Sequence, residues 1–182
     1  MAKTNSIPPF PADIDRESFG HWLSGFTDGE GSFLLFAPRM QHCKKKQWGR
    51  AEFRIALRSD DAGILRLIQS FFGCGHITNY HNQRSKIPNA KPYSTFYVQN
   101  KGDLANIIVP HFEFFPLRAK KQKDFAVWKE AIAFIYSLKK RPKDRQPGQR
   151  GGFFANWTPL QTTRFLTMKD ALRDVRKYVE II

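Results

Sequence analysis

Hydrophobic and polar positions recur along this chain with two distinct periods, and the switches between them predict its elements. Phe19, Trp22, Leu23 and Phe26 fall at i, i+3, i+4 and i+7, the one-sided stripe of an amphipathic helix. Asp13 or Asp15 is placed to cap that helix, with Glu17 in its opening turn, and the helix ends near Glu30. Ser32 to Ala37, rich in Phe and Leu, reads as a buried strand. From Ala51 to Arg58 the period becomes two. Phe53, Ile55 and Leu57 point one way and Glu52, Arg54 and Arg58 the other, as in a half-buried strand with a charged outer face. Ser59 and Asp60 are expected to cap a second helix carrying Ile64, Leu65, Ile68, Phe71 and Phe72, which Gly73-Cys74-Gly75 breaks.

A second hairpin follows, with His76, Thr78 and Tyr80 on one face of its first strand. Tyr93, Thr95, Tyr97 and Gln99 share a face of its second strand, opposite Ser94, Phe96 and Val98. Lys101 to Val109 is predicted as a short helix stopped by Pro110. Phe115 to Phe125 opens a long helix whose apolar stripe is Phe125, Trp128, Ile132 and Ile135. Lys139 to Gly152, basic and rich in Pro and Gly, reads as a linker. Thr158-Pro159 starts a last helical region running toward Tyr178. The expected order is therefore αββαββα: an irregular arm over 1–14, an α+β core over 15–138, a basic linker over 139–157 and a helical extension over 158–182. No repeat is visible.

Composition narrows the partners. Thirty Lys and Arg against 16 Asp and Glu give a net charge of +14, which points to a polyanion, nucleic acid before membrane. Hydrophobic residues at 41% and aromatics at 14% describe a packed globule rather than a basic tail. Two cysteines, Cys43 and Cys74, make neither a disulfide framework nor a zinc set, which favours an intracellular compartment. No apolar run is long enough to span a membrane, and the first residues lack the apolar stretch of a signal peptide.

Two antiparallel hairpins of this pattern, with helices on one side, make a four-stranded sheet with one face bare. That face would carry Arg54, Arg58, Thr78, Tyr80, Thr95, Tyr97 and Gln99, with His76 as a further base reader. Such a mix can donate, accept and touch thymine methyls in a major groove. Basic loops beside it, with Arg39, Lys44, Lys46, Trp48 and Arg50 in the first hairpin and Arg84 and Lys86 in the second, would neutralise phosphates.

The stretch Leu23-Ser24-Gly25-Phe26-Thr27-Asp28-Gly29-Glu30-Gly31 ends the first helix. Gly25 and Gly29, four apart, clear one stripe of side chains so that another backbone can approach. A helix C-terminus disfavours a carboxylate, so Glu30 there calls for a compensating cation. Position by position these residues resemble the LAGLIDADG motif of a homing-endonuclease family, and the element order resembles that family's core over roughly residues 15–138.

The resemblance implies that motif helices pack together, with Trp22, Ser24, Gly25, Asp28 and Gly29 at the interface and Asp28 structural. It implies a curved four-stranded antiparallel sheet lying on DNA. It implies that Glu30 binds divalent metal, Mg²⁺, with the Gly29 carbonyl as a supporting ligand. Lys120 matches the family's basic residue near the reacting phosphate, and Lys121 beside it is assigned to DNA contact. One motif implies a homodimer on a double-stranded target of approximate two-fold symmetry, cut across the minor groove to leave short 3′ overhangs, with a reading frame inside a mobile intron. One departure stands out. Leu57 occupies the place where relatives carry a polar residue that positions water, leaving that work to Arg58, Arg54 or solvent, or activity impaired. The alternatives on the same fold are a maturase that binds intron RNA and a DNA-binding regulator that does not cut.

Overall fold

The computed structural model of the chain describes residues 6–37, 49–80, 91–138 and 157–177. Arg39, Lys44, Lys46, Trp48, Arg84 and Lys86, and all but the end of the expected linker, lie outside those residues.

Helix α1 (Arg16–Glu30) starts where Asp15 accepts the Ser18 backbone N–H at 2.7 Å. That bond holds the Asp15 carboxyl below the usual carboxylate range. The helix passes directly into β1 (Gly31–Phe36). The Gly31 N–H closes on the Thr27 carbonyl, and a Cβ at Gly31 would strike the Thr27 side chain and lie 2.8 Å from that carbonyl oxygen. Only glycine fits so close a junction. Strand β2 (Arg50–Arg58), helix α2 (Ala62–Phe72) and strands β3 (His76–Tyr80) and β4 (Tyr93–Val98) follow. Gly73 ends α2 in the left-handed region at φ 64°, where a side chain would be strained.

The strands form an antiparallel sheet in the order β1-β2-β4-β3. Period-two patterning sets its two faces. Phe33, Phe53, Ile55, Phe96 and Val98 are buried in one core with Leu23, Ile68, Ile108, Trp128 and Ile132 from the helices. Within the described residues the architecture is α+β, with the expected αββαββα order and helical segments after it.

Four local expectations are corrected. First, Ser59 and Asp60 form a 3₁₀ turn without a side-chain cap on α2. Ser59 Oγ instead meets Ser94 Oγ at 3.2 Å, and Asp60 binds Arg58. Second, Pro110 does not stop the helical run. One turn, α3 (Lys101–Asp103), leads through a π-helical stretch, Leu104–Ile108, into α4 (Val109–Phe114). Pro110 thus lies in the first turn of α4, where a missing N–H costs little. Third, Glu52 is fully buried rather than outward and solvated. Its carboxylate accepts from Arg54 Nε at 2.6 Å and from the Gln99 amide, which satisfies a charge that could not otherwise be buried. Fourth, the α1 stripe divides. Phe19 and Leu23 enter the core, whereas Trp22 is 41% exposed and stacks on Phe26 at 4.9 Å.

The last two helices pack together. Helix α5 (Lys121–Ser137) buries Phe125, Trp128, Ile132 and Ile135, the stripe read from the sequence. Helix α6 (Pro159–Asp174) begins with a capping box between Thr158 and Gln161. Phe165 of α6 is fully buried, and its ring fills the space a Cβ would need at Gly49, just before β2. Beyond α6, Arg176 donates from Nε to Asp124 of α5 at 2.7 Å and from Nη2 to the Phe33 carbonyl at 2.5 Å. This occupies a backbone acceptor of β1, an edge strand. Among the described residues no helix is long and apolar enough to cross a membrane.

The packing of α6 is testable. Phe165→Ala is expected to destabilise the chain by about 3–5 kcal/mol, read as a lower urea midpoint with an unchanged slope. His111 supplies a pH test. It is buried among the rings of Phe71, Phe72, Phe112 and Phe115, with no hydrogen-bond partner for Nε2 among the described residues. Burial pushes its imidazole down from 6.5 to about 4. Between those values the unfolded chain takes up a proton that the folded chain refuses, so stability falls as pH drops through that window. The loss is expected to reach about 3 kcal/mol by pH 4. Urea midpoints at pH 7.5 and 4 should fall further apart in wild type than in His111→Phe.

Candidate functional site

The end of α1 and the start of α5 hold each other by exchanging charge. Asp28 Oδ2 accepts the backbone N–H groups of Arg118 at 2.7 Å and Ala119 at 3.1 Å. In return, Lys121 Nζ donates to the Asp28 carbonyl at 2.7 Å and the Gly29 carbonyl at 2.9 Å. The carbonyls at a helix C-terminus lack intrahelical donors and carry the negative end of the dipole, while N–H groups leading into a helix favour an acid. Each helix end therefore provides what the other needs. Lys121 thus places a cation at the C-terminus of α1, on its carbonyls rather than on the Glu30 carboxylate. In this structure its ammonium meets two carbonyls of its own chain.

Glu30 itself is exposed, and its carboxylate makes no hydrogen bond or ion pair among the described residues. It stands one residue before Gly31, which pairs with Ile55 of β2. Lys120 is exposed at the N-cap of α5, next to Lys121. The oxygens of this turn suit a hard divalent cation: the Asp28 and Gly29 carbonyls already hold an ammonium, and the Glu30 carboxylate is available beside them. Among the described residues no group of three or more His, Cys, Asp or Glu gathers to hold a metal. Within the described residues, Glu30 with the Gly29 carbonyl makes an incomplete coordination set.

Of the five residues expected to meet a second motif helix, three have outward positions. Trp22 is exposed, and a Cβ at Gly25 or Gly29 would meet nothing within 4 Å. The other two are engaged within their own chain. Ser24 is buried and donates from Oγ to the Phe115 carbonyl at 2.6 Å. Asp28 is engaged with residues 118 and 119 as described. Both side chains lie on the flank of α1 that the 115–121 segment covers. Phe26, stacked on Trp22, joins Trp22, Gly25 and Gly29 instead.

Across the sheet, strand register assembles the expected nucleic-acid face in rows. Arg54, Tyr97 and His76 align in the first row, Ala56, Thr95 and Thr78 in the second, and Arg58, Tyr93 and Tyr80 in the third. His76 and Tyr97 rings are 5.8 Å apart, and Tyr80 stacks on Tyr93 at 4.7 Å. Two residues are less free than the pattern implied. Thr95 is only 3% exposed, and Gln99 lends its amide to Glu52. Arg50, at the start of β2, lies over the Phe36 ring at 4.5 Å. Tyr93 was not among the expected DNA contacts, although its phase with Thr95 and Tyr97 was the signal that could have found it. Leu57 is half-buried against the core and pairs with Ser94. The arginines on either side of it are both held by carboxylates, Arg54 by Glu52 and Arg58 by Asp60.

Comparison with known proteins adds to this geometry. The family profile described as LAGLIDADG endonuclease matches residues 23–132. A probable intron-encoded endonuclease of Neurospora crassa is 32% identical over 119 residues, covering 65% of this chain and 25% of that protein. The chain spans well under half the length of the curated relatives it matches. Among solved structures, the LAGLIDADG homing endonuclease I-GzeII in complex with its DNA target superposes with a TM-score of 0.62 at 25% identity, over 87% of this chain and 45% of that one. The homing endonuclease I-TnaI superposes with a TM-score of 0.62 at 22% identity, over 90% of this chain and 99% of that one. At that identity the second likeness speaks for the fold alone.

The exchange between α1 and α5 predicts a measurable cost. Asp28→Ala removes the acceptor of two backbone N–H groups and should lower stability by about 1.5–3 kcal/mol in urea unfolding. Asp28→Asn, which keeps one carbonyl acceptor, should lose less. Equal losses in the two variants would mean that the carboxylate's hydrogen bonds contribute nothing beyond its volume.

Proposed function

This chain belongs to the LAGLIDADG endonuclease family, and from that premise we propose that it is a homing endonuclease. In this reading it acts as a symmetric homodimer with Mg²⁺ and hydrolyses both strands of a long, approximately palindromic DNA site. One observation carries the reading: the Glu30 carboxylate stands exposed, with no hydrogen bond or ion pair among the described residues, at the end of the open seam formed by Trp22, Gly25, Phe26 and Gly29. A second copy packed on that seam would bring a second Glu30 to the axis. The contact would be isologous, each seam meeting its own image, and its symmetry would be passed to the DNA target. The two glycines would let the helices approach closely at the point where the carboxylates must meet.

Held between these oxygens, Mg²⁺ would activate water and stabilise the leaving oxygen of the phosphodiester. The chain's own residues would do the rest. Glu30 and the Gly29 carbonyl would bind the ion, and Lys120 would offset charge on the phosphate. Arg54 and Arg58 are each neutralised by a carboxylate of their own chain, so solvent beside Glu30, rather than a polar side chain in place of Leu57, would deliver the attacking water.

The rows of Arg54, His76, Thr78, Tyr80, Tyr93 and Tyr97 would face the major groove, while the net charge of +14 supports affinity for phosphates. Cuts would fall across the minor groove and leave short 3′ overhangs. The Neurospora crassa relative is described as intron-encoded, which supports an intron as the home of this reading frame.

The experiment is selection of cleaved sites from a random duplex pool with Mg²⁺. Wild type should yield a near-palindromic site. Glu30→Gln should bind that site but cut it at least about a hundredfold more slowly. Cutting by Glu30→Gln at the wild-type rate would overturn the assignment of the metal-binding acid, and wild-type binding without cutting would overturn the nuclease.

A further inference from the structure

We propose that Lys121 is a resident counter-cation of this centre: it occupies the Gly29 carbonyl in the DNA-free protein and yields it when DNA arrives. The proposal rests on the reading of Glu30 and Gly29 as metal-binding groups and deepens it by assigning the step that controls loading.

The geometry is specific. Lys121 Nζ lies 2.9 Å from the Gly29 carbonyl oxygen and 2.7 Å from that of Asp28, a two-acceptor grip. It makes no ion pair with Glu30, so the carboxylate stays available while the neighbouring carbonyl is taken. A carbonyl oxygen has two lone pairs and can in principle accept from two partners. When both partners are cations sharing one oxygen, they repel strongly at such short range. A divalent ion approaching Glu30 and Gly29 therefore competes with the ammonium of Lys121.

Arrival of DNA changes the balance. A phosphate oxygen is a charge-assisted acceptor and a better partner for an ammonium than two neutral carbonyls. Lys121 then moves from carbonyl to phosphate, and the Gly29 oxygen is released. By linkage, DNA favours metal binding and metal favours DNA binding by the same factor. Such coupling would keep a nuclease centre poorly loaded away from DNA. Lys121 is thus a positioning residue, distinct from Lys120, to which the charge on the reacting phosphate is assigned.

The test is calorimetric titration with Ca²⁺ alone, with and without a duplex carrying the selected site. Without DNA, Lys121→Met should bind Ca²⁺ about tenfold more tightly than wild type. Lys121→Arg, which keeps the charge, should stay close to wild type. With DNA present, wild type and Lys121→Met should converge. Lys121→Gln keeps a donor for the carbonyl without the charge, should also bind more tightly, and serves where the Met variant fails to fold.

A lysine that only braces the helix end has the opposite signature, because its loss frays α1 and weakens Ca²⁺ binding. Weaker or unchanged binding in folded Lys121→Met or Lys121→Gln would overturn the proposal while leaving the nuclease reading intact. Glu30→Gln separates the two. If it binds Ca²⁺ as well as wild type does, the metal-site reading itself fails, and the proposal with it.

Discussion

The structure depends on the reciprocal hold between the last turn of α1 and the first turn of α5. Asp28 supplies an acceptor to the N–H groups entering α5, and Lys121 supplies a cation to the carbonyls leaving α1. Two helix ends of opposite polarity, more than 80 residues apart in sequence, complete each other. Everything placed near the candidate centre follows from this. Gly31 turns the chain sharply into β1 at the same point, and Glu30 is left exposed between the clamp and the strand, with no ion pair or hydrogen bond of its carboxylate among the described residues. Ser24 reinforces the hold one turn earlier by reaching the Phe115 carbonyl.

The sheet shows how a charged face can be rigid. Glu52, buried and ionisable, is tolerable only because Arg54 from its own strand and Gln99 from the end of the neighbouring strand satisfy it. Arg58 is similarly held by Asp60. The face offered to a partner is therefore built from side chains already oriented within the chain, which limits the entropy lost on binding. Tyr80 stacked on Tyr93, and His76 beside Tyr97, extend the same ordering to the aromatic rows.

Beyond the segment that matches the family profile, α6 is fastened at its middle and just past its end. Phe165 fills the notch that Gly49 leaves, and Arg176 ties Asp124 of α5 to the backbone of β1. These contacts reach the two elements that flank Glu30. The C-terminal segment thus belongs mechanically to the frame of the candidate centre, although its residues carry none of the expected chemistry.

The sequence by itself determined the elements and the motif. Periods of 3.6 and 2 located the helices and strands, Asp13 or Asp15 and then Thr158 marked helix starts (the structure uses Asp15), Gly73 marked a stop, and Leu23 to Gly31 identified the family. All of these are short-range signals, set by local backbone geometry and by which face of one element is apolar. Tertiary structure decided the rest. Arg118, Lys120, Lys121 and Lys123 are chemically alike in sequence, and only the approach of α5 to α1 selects Lys121 to meet the carbonyls. Period-two reasoning put Glu52 on the same side as Arg54 and expected solvent there; its burial depends on where Gln99 arrives through the β2–β4 pairing. Pro110 reads as a stop until the π-helical stretch before it places the ring in a first turn. Ser24 and Asp28, placed at a helix interface by the motif, take intrachain partners only once residues 115–121 fold across them. In each case the deciding partner lies outside the local window, so its effect exists only once the chain has packed.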